Sequence, residues 1–403
     1  MPTTETPKAD SQKTAHTTRS RARASERIVV ITELFLPTKG GTAVWFDEVY
    51  RRLGNKEHHV ITAKVAGDTE HDSTHSNSIH RLSLQRVSWL KPESLWMYLN
   101  LLMHSIWYCL RYSATSVHAG RVLPEGAIAV LCGKLFSIPS VIYAHGEEIT
   151  TWRQKNKFKA MVKMYQQCDH VIANSEFTQQ ELLKLGIKQS KIRLIHPGVN
   201  VERFQPSLPC ADLKQQIQLQ NDEFLLLSVG RLSRRKGFDT VIKALAHLKQ
   251  QGIKARYALI GIGEDLHYLT ELSQQLGVAE QVHFLGHVAV DDLPRWYNAC
   301  NLFVMPNREV NGDTEGFGMV FIEAAACGKT AISGNIGGPP NAVLHEKTGL
   351  NVDGTDEHNL TRAILRLIEN PELTQRLAQQ ARQRATQELS WQAVAQQTKE
   401  FLD

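Results

Sequence analysis

The chain has 403 residues, 42% hydrophobic and 22% charged, enough to build the cores of two or three domains. Its formal charge of +5 is partly local: residues 1–27 carry six Lys or Arg against three acids, leaving 40 against 38 elsewhere and no nucleic-acid footprint. Six cysteines without C-x-x-C spacing, no HExxH or Asp-x-Asp pattern, and neither a signal-peptide core nor a membrane-spanning run together predict a reduced, cytoplasmic protein without a bound metal.

Residues 1–26 are rich in Thr, Ser and Arg and read as a disordered tail. Arg27–Phe35 is a continuous apolar run, the pattern of a strand buried on both faces. The turn over residues 37–42 contains Gly40 and Gly41 and leads into a helical pattern in which Val44, Asp47 and Arg51 mark an apolar and a polar edge. Strand, glycine turn and helix in that order aim free backbone N–H groups at an anion. Further strands read at residues 58–65 and 78–84.

Residues 94–111 are apolar nearly all round and aromatic-rich, broken by Asn100, His104 and Ser105. A buried domain helix is the reading, and a surface meeting lipid or a greasy acceptor is the alternative. A strand at residues 140–144 runs into His145-Gly-Glu-Glu148, the position at which residues line the crevice of an open α/β sheet. Phe158, Met161, Val162 and Tyr165 then recur at helical spacing beside a stripe of Lys155, Lys159 and Lys163, a solvated face that could also attract anionic lipid. After a strand at residues 170–174, Thr178 and Glu181 suggest a capping box for a helix ended by Gly186. Residues 205–221 hold two prolines and no clear strand, so the interdomain linker is expected there.

The second half restarts with a buried strand at residues 224–230, followed by Arg231-Leu-Ser-Arg-Arg-Lys-Gly237 and a helix with Phe238, Val241, Ile242, Leu245 and Leu248 on one face. Basic residues between a strand end and a helix start make an anion site by charge and geometry together. Strands at residues 257–263, 282–288, 302–306 and 330–333 alternate with helices, and from residue 357 the chain is helical. Gly261-Ile-Gly263 lacks the third glycine of a dinucleotide fingerprint. Gly328-Lys329-Thr330 is no P-loop, because the first glycine would fall on Glu323.

Residues 314–340 carry the densest chemistry. Glu315 and Glu323 bracket a Gly-Phe-Gly turn and the start of a helix near Gly318, roughly 8 Å apart at ~1.5 Å rise per residue. Two acids beside free helix N–H groups suit a ligand with both hydroxyls and phosphates. This stretch resembles the donor site of the family 4 retaining glycosyltransferases, as do Gly-Arg-Leu-x-x-x-Lys-Gly at residues 230–237, Asn174-Ser-Glu-Phe-Thr178, and the run from Ile195 through Pro197-Gly-Val-Asn200.

The resemblance spans nearly all of residues 27–403. It implies an α/β chain of GT-B architecture, two doubly wound Rossmann-like domains facing across a cleft. The acceptor-side domain would occupy residues 27–204, the nucleotide-sugar domain residues 222–388, and a returning helix residues 389–403. It implies that Arg231 and Lys236, with Gly40 and Gly41, bind the donor diphosphate. Glu315 and His145 would position the transferred sugar, and Glu323 the ribose. Gly316, Phe317, Gly318, Met319 and Val320 would complete the donor loop, with the backbone of His287 and Val288 beside the base. Asn341 departs from a common family form, which has glutamate there.

Implied partners are a nucleotide-sugar donor, GDP-mannose or a UDP-hexose, and a glycan or lipid-linked acceptor, with peripheral association at an anionic membrane. No cofactor and no essential metal are implied. The mannosyltransferase-like members share the His-Gly-x-Glu segment, which favours mannose. A sugar-nucleotide epimerase on the same architecture and a non-catalytic nucleotide-sugar sensor are the alternatives.

Overall fold

Runs of four to six apolar residues can bury both faces only between helices, and the chain forms two parallel sheets of such runs. A computed structural model describes residues 26–84 and 93–402. The expected tail at residues 1–26 lies outside these except for Glu26.

The first sheet comprises β1 (Ile28–Ile31), β2 (His59–Ala63), β3 (Ser78–Leu82), β4 (Ser116–Ala119), β5 (Ser140–Ala144), β6 (His170–Ala173) and β7 (Ile192–Leu194). Its spatial order is β3-β2-β1-β4-β5-β6-β7. Val30 on the central strand pairs with Val60 on one side and His118 on the other. Around it lie α1 (Gly41–Leu53), α2 (Asp68–Ser73), α3 (Leu95–Arg111), α4 (Ala127–Phe136), α5 (Glu147–Thr151), α6 (Phe158–Gln167) and α7 (Glu176–Lys184).

The second sheet takes β8 (Phe224–Val229), β9 (Ala255–Ile260), β10 (Val282–Gly286), β11 (Leu302–Met305), β12 (Ala331–Gly334) and β13 (Gly349–Val352) in the order β10-β9-β8-β11-β12-β13. Its helices are α8 (Ala211–Gln216), α9 (Phe238–Gln250), α10 (Leu266–Gln275), α11 (Asp292–Ala299), α12 (Met319–Ala326), α13 (Pro339–Ala342), α14 (Glu357–Glu369) and α15 (Pro371–Gln387). In both sheets the winding reverses beside the first strand, and ligand crevices open at such switch points. The last helix, α16 (Trp391–Leu402), packs on α1, with Trp391 and Val394 buried among Ile28, Trp45 and Tyr143.

Several expectations need correction. The segment at residues 205–221 contains α8, whose Leu213, with Ile217 just beyond, joins the core of the second sheet. The helix after β6 is capped one turn earlier than a Thr178–Glu181 box would place it. Ser175 is the cap and accepts from the Thr178 amide, while Glu181 pairs with Arg153 and Lys184.

Asp47 and Arg51, on the polar edge of α1, pair with each other. Asp47 is buried and bound also to His71 and His75. Helix α3 is not a buried domain helix. Met97, Leu101, Ser105 and Cys109, one turn apart, are fully buried and Leu102, Ile106 and Tyr108 partly so, while Met103 and Leu110 are each 67% exposed alongside Trp96, Leu99 and Trp107. Strands β4 and β13 lie where no strand was expected, because Ser116-Val-His-Ala119 and Gly349-Leu-Asn-Val352 each interrupt their apolar residues with a polar one and form no continuous apolar run.

Candidate active site

Two helices begin at the crevice, one from each sheet. Helix α1 starts at Gly41 and α12 at Met319, and a Cβ on Gly41 would stand 3.1 Å from Met319 Sδ. The orphan N–H groups of both first turns therefore belong to one region, which favours negative charge. A Cβ on Gly316 would stand 2.2 Å from the His145 carbonyl oxygen, so the loop before α12 touches the end of β5.

Between these contacts lies a cavity of about 240 Å³. Gly41, Trp45, His145 and Glu147 wall it from the first domain; Lys236, Glu315 and residues 316–320 wall it from the second. His145 Nε2 donates to the Gly120 carbonyl at 2.8 Å, and its ring stands edge-on to Trp45 at 5.8 Å. With its proton committed to that carbonyl, a neutral ring keeps Nδ1 as an acceptor.

Opposite, Lys236 Nζ donates to Glu315 Oε2, and Arg235 Nη1 donates to the same oxygen at 2.7 Å. Burial alone would raise the Glu315 carboxyl, but Lys236 and Arg235 outweigh it and hold it down to about 2. Arg235 also reaches Asp313 at 3.1 Å.

Gly40 belongs to an adjoining space of about 1230 Å³, walled also by Lys39, Arg203, Arg231, Gly261, His287 and Val288. Lys39 Nζ donates to His287 Nε2 at 3.2 Å, joining the β1–α1 turn to the second domain. Arg231 faces this larger space, 74% exposed, with its Nε 3.1 Å from Glu264.

Of the residues expected from the sequence, the smaller cavity thus brings together Gly41, His145, Lys236, Glu315, Gly316, Phe317, Gly318, Met319 and Val320. The larger takes Gly40, Arg231, His287 and Val288. Glu323 lines neither. Its Oε2 accepts from the Tyr297 hydroxyl at 2.8 Å, and burial pushes its carboxyl up, opposed by Tyr297 and Arg203. Asn341, the departure from the family form, accepts from the Glu176 amide at 2.9 Å and joins α13 to α7 across the domains.

Sequence reasoning missed Arg235, Trp45, Glu147 and Asn174. Arg235 was visible in the basic loop, Glu147 in the His-Gly-Glu-Glu segment and Asn174 at the head of Asn-Ser-Glu-Phe-Thr; Trp45 carries no local signal. Among the described residues only His247, Glu357 and His358 group their ligand atoms closely enough to hold a metal ion, and they line neither cavity.

Residues 39–203 match the family model described as Glycosyltransferase Family 4, and residues 211–384 the one described as Glycosyl transferases group 1. A GDP-mannose-dependent alpha-(1-6)-phosphatidylinositol monomannoside mannosyltransferase of Mycobacterium tuberculosis is 26% identical over 389 residues, covering 93% of this chain and 98% of that protein. Sucrose-phosphate synthase from Thermosynechococcus elongatus shares the fold with a TM-score of 0.77 at 24% identity, over 94% of this chain and 98% of that one. The Anabaena protein HepE, solved with UDP and glucose, superposes with a TM-score of 0.76 at 21% identity over 94% and 99%.

Proposed function

We propose a reaction on the premise that the chain belongs to the family 4 glycosyltransferases: transfer of a hexose, mannose in the first place, from GDP-mannose to a glycan or lipid-linked polyol with retention of anomeric configuration. One observation carries this reading. Lys236, Arg235 and Glu315 converge in a cavity at which α1 and α12 both begin, beside a larger space suited to a nucleoside. The full-length similarity to a GDP-mannose-dependent enzyme, and the His145-Gly-Glu-Glu148 segment, support the choice of mannose.

The chemical demand is a stabilised leaving group. As the bond from the anomeric carbon to the diphosphate oxygen breaks, its electron pair moves to the diphosphate. Lys236, Arg231 and the N–H groups at Gly41 and Met319 would offset that charge without a metal. The acceptor oxygen then bonds to the same face of the sugar, and its proton passes to a phosphate oxygen of the departing GDP. Glu315, held ionised by its cations, serves as an acceptor for sugar hydroxyls, and His145 offers Nδ1 to another.

The test is turnover of GDP-mannose with a mannoside acceptor, the product anomer being read by NMR. Retention in the presence of EDTA, with a loss of about a hundredfold or more in Glu315→Ala, is expected. An inverted product or dependence on a divalent ion would refute the mechanism.

A second reading concerns the acceptor. The uncovered apolar face of α3, continued by exposed Leu131 and Leu135 on α4, supports docking at a lipid surface. The lysines at 155, 159 and 163, all exposed around α6, would add attraction to anionic headgroups. No described helix is long and apolar enough to cross a membrane. Flotation with phosphatidylglycerol vesicles should be lost when Trp96 and Trp107 are both changed to Ser; equal flotation of variant and parent would remove the lipid surface from the account.

A further inference from the structure

Glu147 is the one acid of the smaller cavity's first-domain wall, and among the described residues its carboxylate has no hydrogen-bond or ion-pair partner. It opens α5, two residues beyond His145, where Gly146 with φ 94° turns the chain off the end of β5. Its neighbour Glu148 is committed elsewhere, accepting from the His145 amide at 3.0 Å and from the Tyr165 hydroxyl at 2.6 Å.

The cations nearest the cavity are engaged as well. Lys236 and Arg235 are bound to Glu315, and Arg235 also to Asp313. Glu147 therefore faces the ligand space with free acceptor oxygens and no cation of its own. Water in the cleft reaches its side chain, yet protein encloses it closely enough that burial, reinforced by Glu148, raises its carboxyl, against the pull of His145 and Arg235. Its oxygens are free to exchange cleft water for the hydroxyl donors of a ligand.

We propose that the Glu147 carboxylate receives a hydroxyl of the acceptor and sets the acceptor toward the anomeric carbon, so that the end of the acceptor entering the cavity is an uncharged polyol. This rests on the transferase reading above, and on the place of Glu147 in the first-domain wall, across the cavity from Lys236 and Glu315. A phosphate at this end would meet the Glu147 carboxylate, while Lys236 and Arg235 are bound to Glu315. A sugar or cyclitol hydroxyl instead donates to a charged acceptor, among the stronger hydrogen bonds available to it.

The experiment uses the full chain, GDP-mannose as donor and two acceptor probes, methyl α-D-mannopyranoside and mannose 6-phosphate. Release of GDP is the readout, with calorimetric affinity for GDP-mannose measured in parallel. The wild type should accept the neutral probe with the lower KM. Glu147→Gln, close to isosteric, should raise KM for the neutral probe about tenfold or more, leave kcat within about threefold and narrow the preference over the phosphorylated probe. Glu147→Asp should recover part of the loss.

An unchanged KM in Glu147→Gln, a wild-type preference for mannose 6-phosphate, or GDP-mannose binding without any acceleration by the neutral probe would each overturn the assignment. Absence of GDP-mannose binding in the wild type would instead refute the parent reading of the donor.

Discussion

Glu315 lies in the second domain's wall of the cleft as one member of a charge unit with Lys236 and Arg235, and its side chain is only 15% exposed. Removing Lys236 leaves the Glu315 carboxylate with Arg235 alone, so Lys236→Ala should cost about 1–3 kcal/mol in unfolding measurements. The unit also fixes a pH window. The Glu315 carboxyl falls from 4.5 to about 2 on folding, so its contribution to stability is complete above pH 4.5 and is lost as pH falls through 2. Unfolding free energies of wild type and Glu315→Gln should therefore differ most above pH 4.5 and converge toward pH 2; a constant difference would contradict the ion-pair account. Glu315 and Lys236 were legible because each sits in a short motif. Arg235 stood in the same basic loop but was not singled out, because that motif leaves its position unspecified. Replacing Arg235 by Ala should accordingly impair turnover at least as much as Arg231→Ala, the reverse of what the motif alone suggests.

The elements that build the cleft also meet by close approach of their backbones. Gly316 meets the His145 carbonyl so tightly that a methyl group there would stand 2.2 Å from the oxygen. Gly316→Ala should force the loop away from β5, weaken nucleotide-sugar affinity about tenfold and cost about 1–3 kcal/mol in stability, read by calorimetry and by thermal unfolding. Unaltered affinity would mean that the loop contact plays no part in binding. Buried parallel strands such as β5 and β8 were legible from their apolar runs. The half-covered state of α3 was not, since a sequence apolar all round does not say which face meets a neighbour. The early cap of α7 was missed for a related reason: Ser175 and Thr178 both have capping chemistry, and the surrounding fold selects between them.

At the scale of the whole molecule, two sheets that each reverse direction beside their first strand are turned so that their crevices share one cleft. The alternation of strand and helix carried that architecture in the sequence. The relative placement of the domains was not legible, because it depends on contacts between distant residues: Asn341 with the Glu176 amide, Phe317 stacked on His196 at 5.1 Å, and Lys39 with His287. Helix α16 completes the assembly by returning from the second domain to cover α1, the helix whose start lines the ligand space.

The central claim is that a nucleotide sugar bridges this cleft, its diphosphate near Lys236 and its sugar on Glu315. Calorimetric titration of GDP-mannose, UDP-glucose and UDP-N-acetylglucosamine into wild type, Lys236→Ala and Glu315→Ala tests it most directly. Selective binding of GDP-mannose by the wild type, weakened at least about tenfold in both variants, is the predicted result. Binding of none of the three, or binding by the variants as tight as by the wild type, would contradict the account.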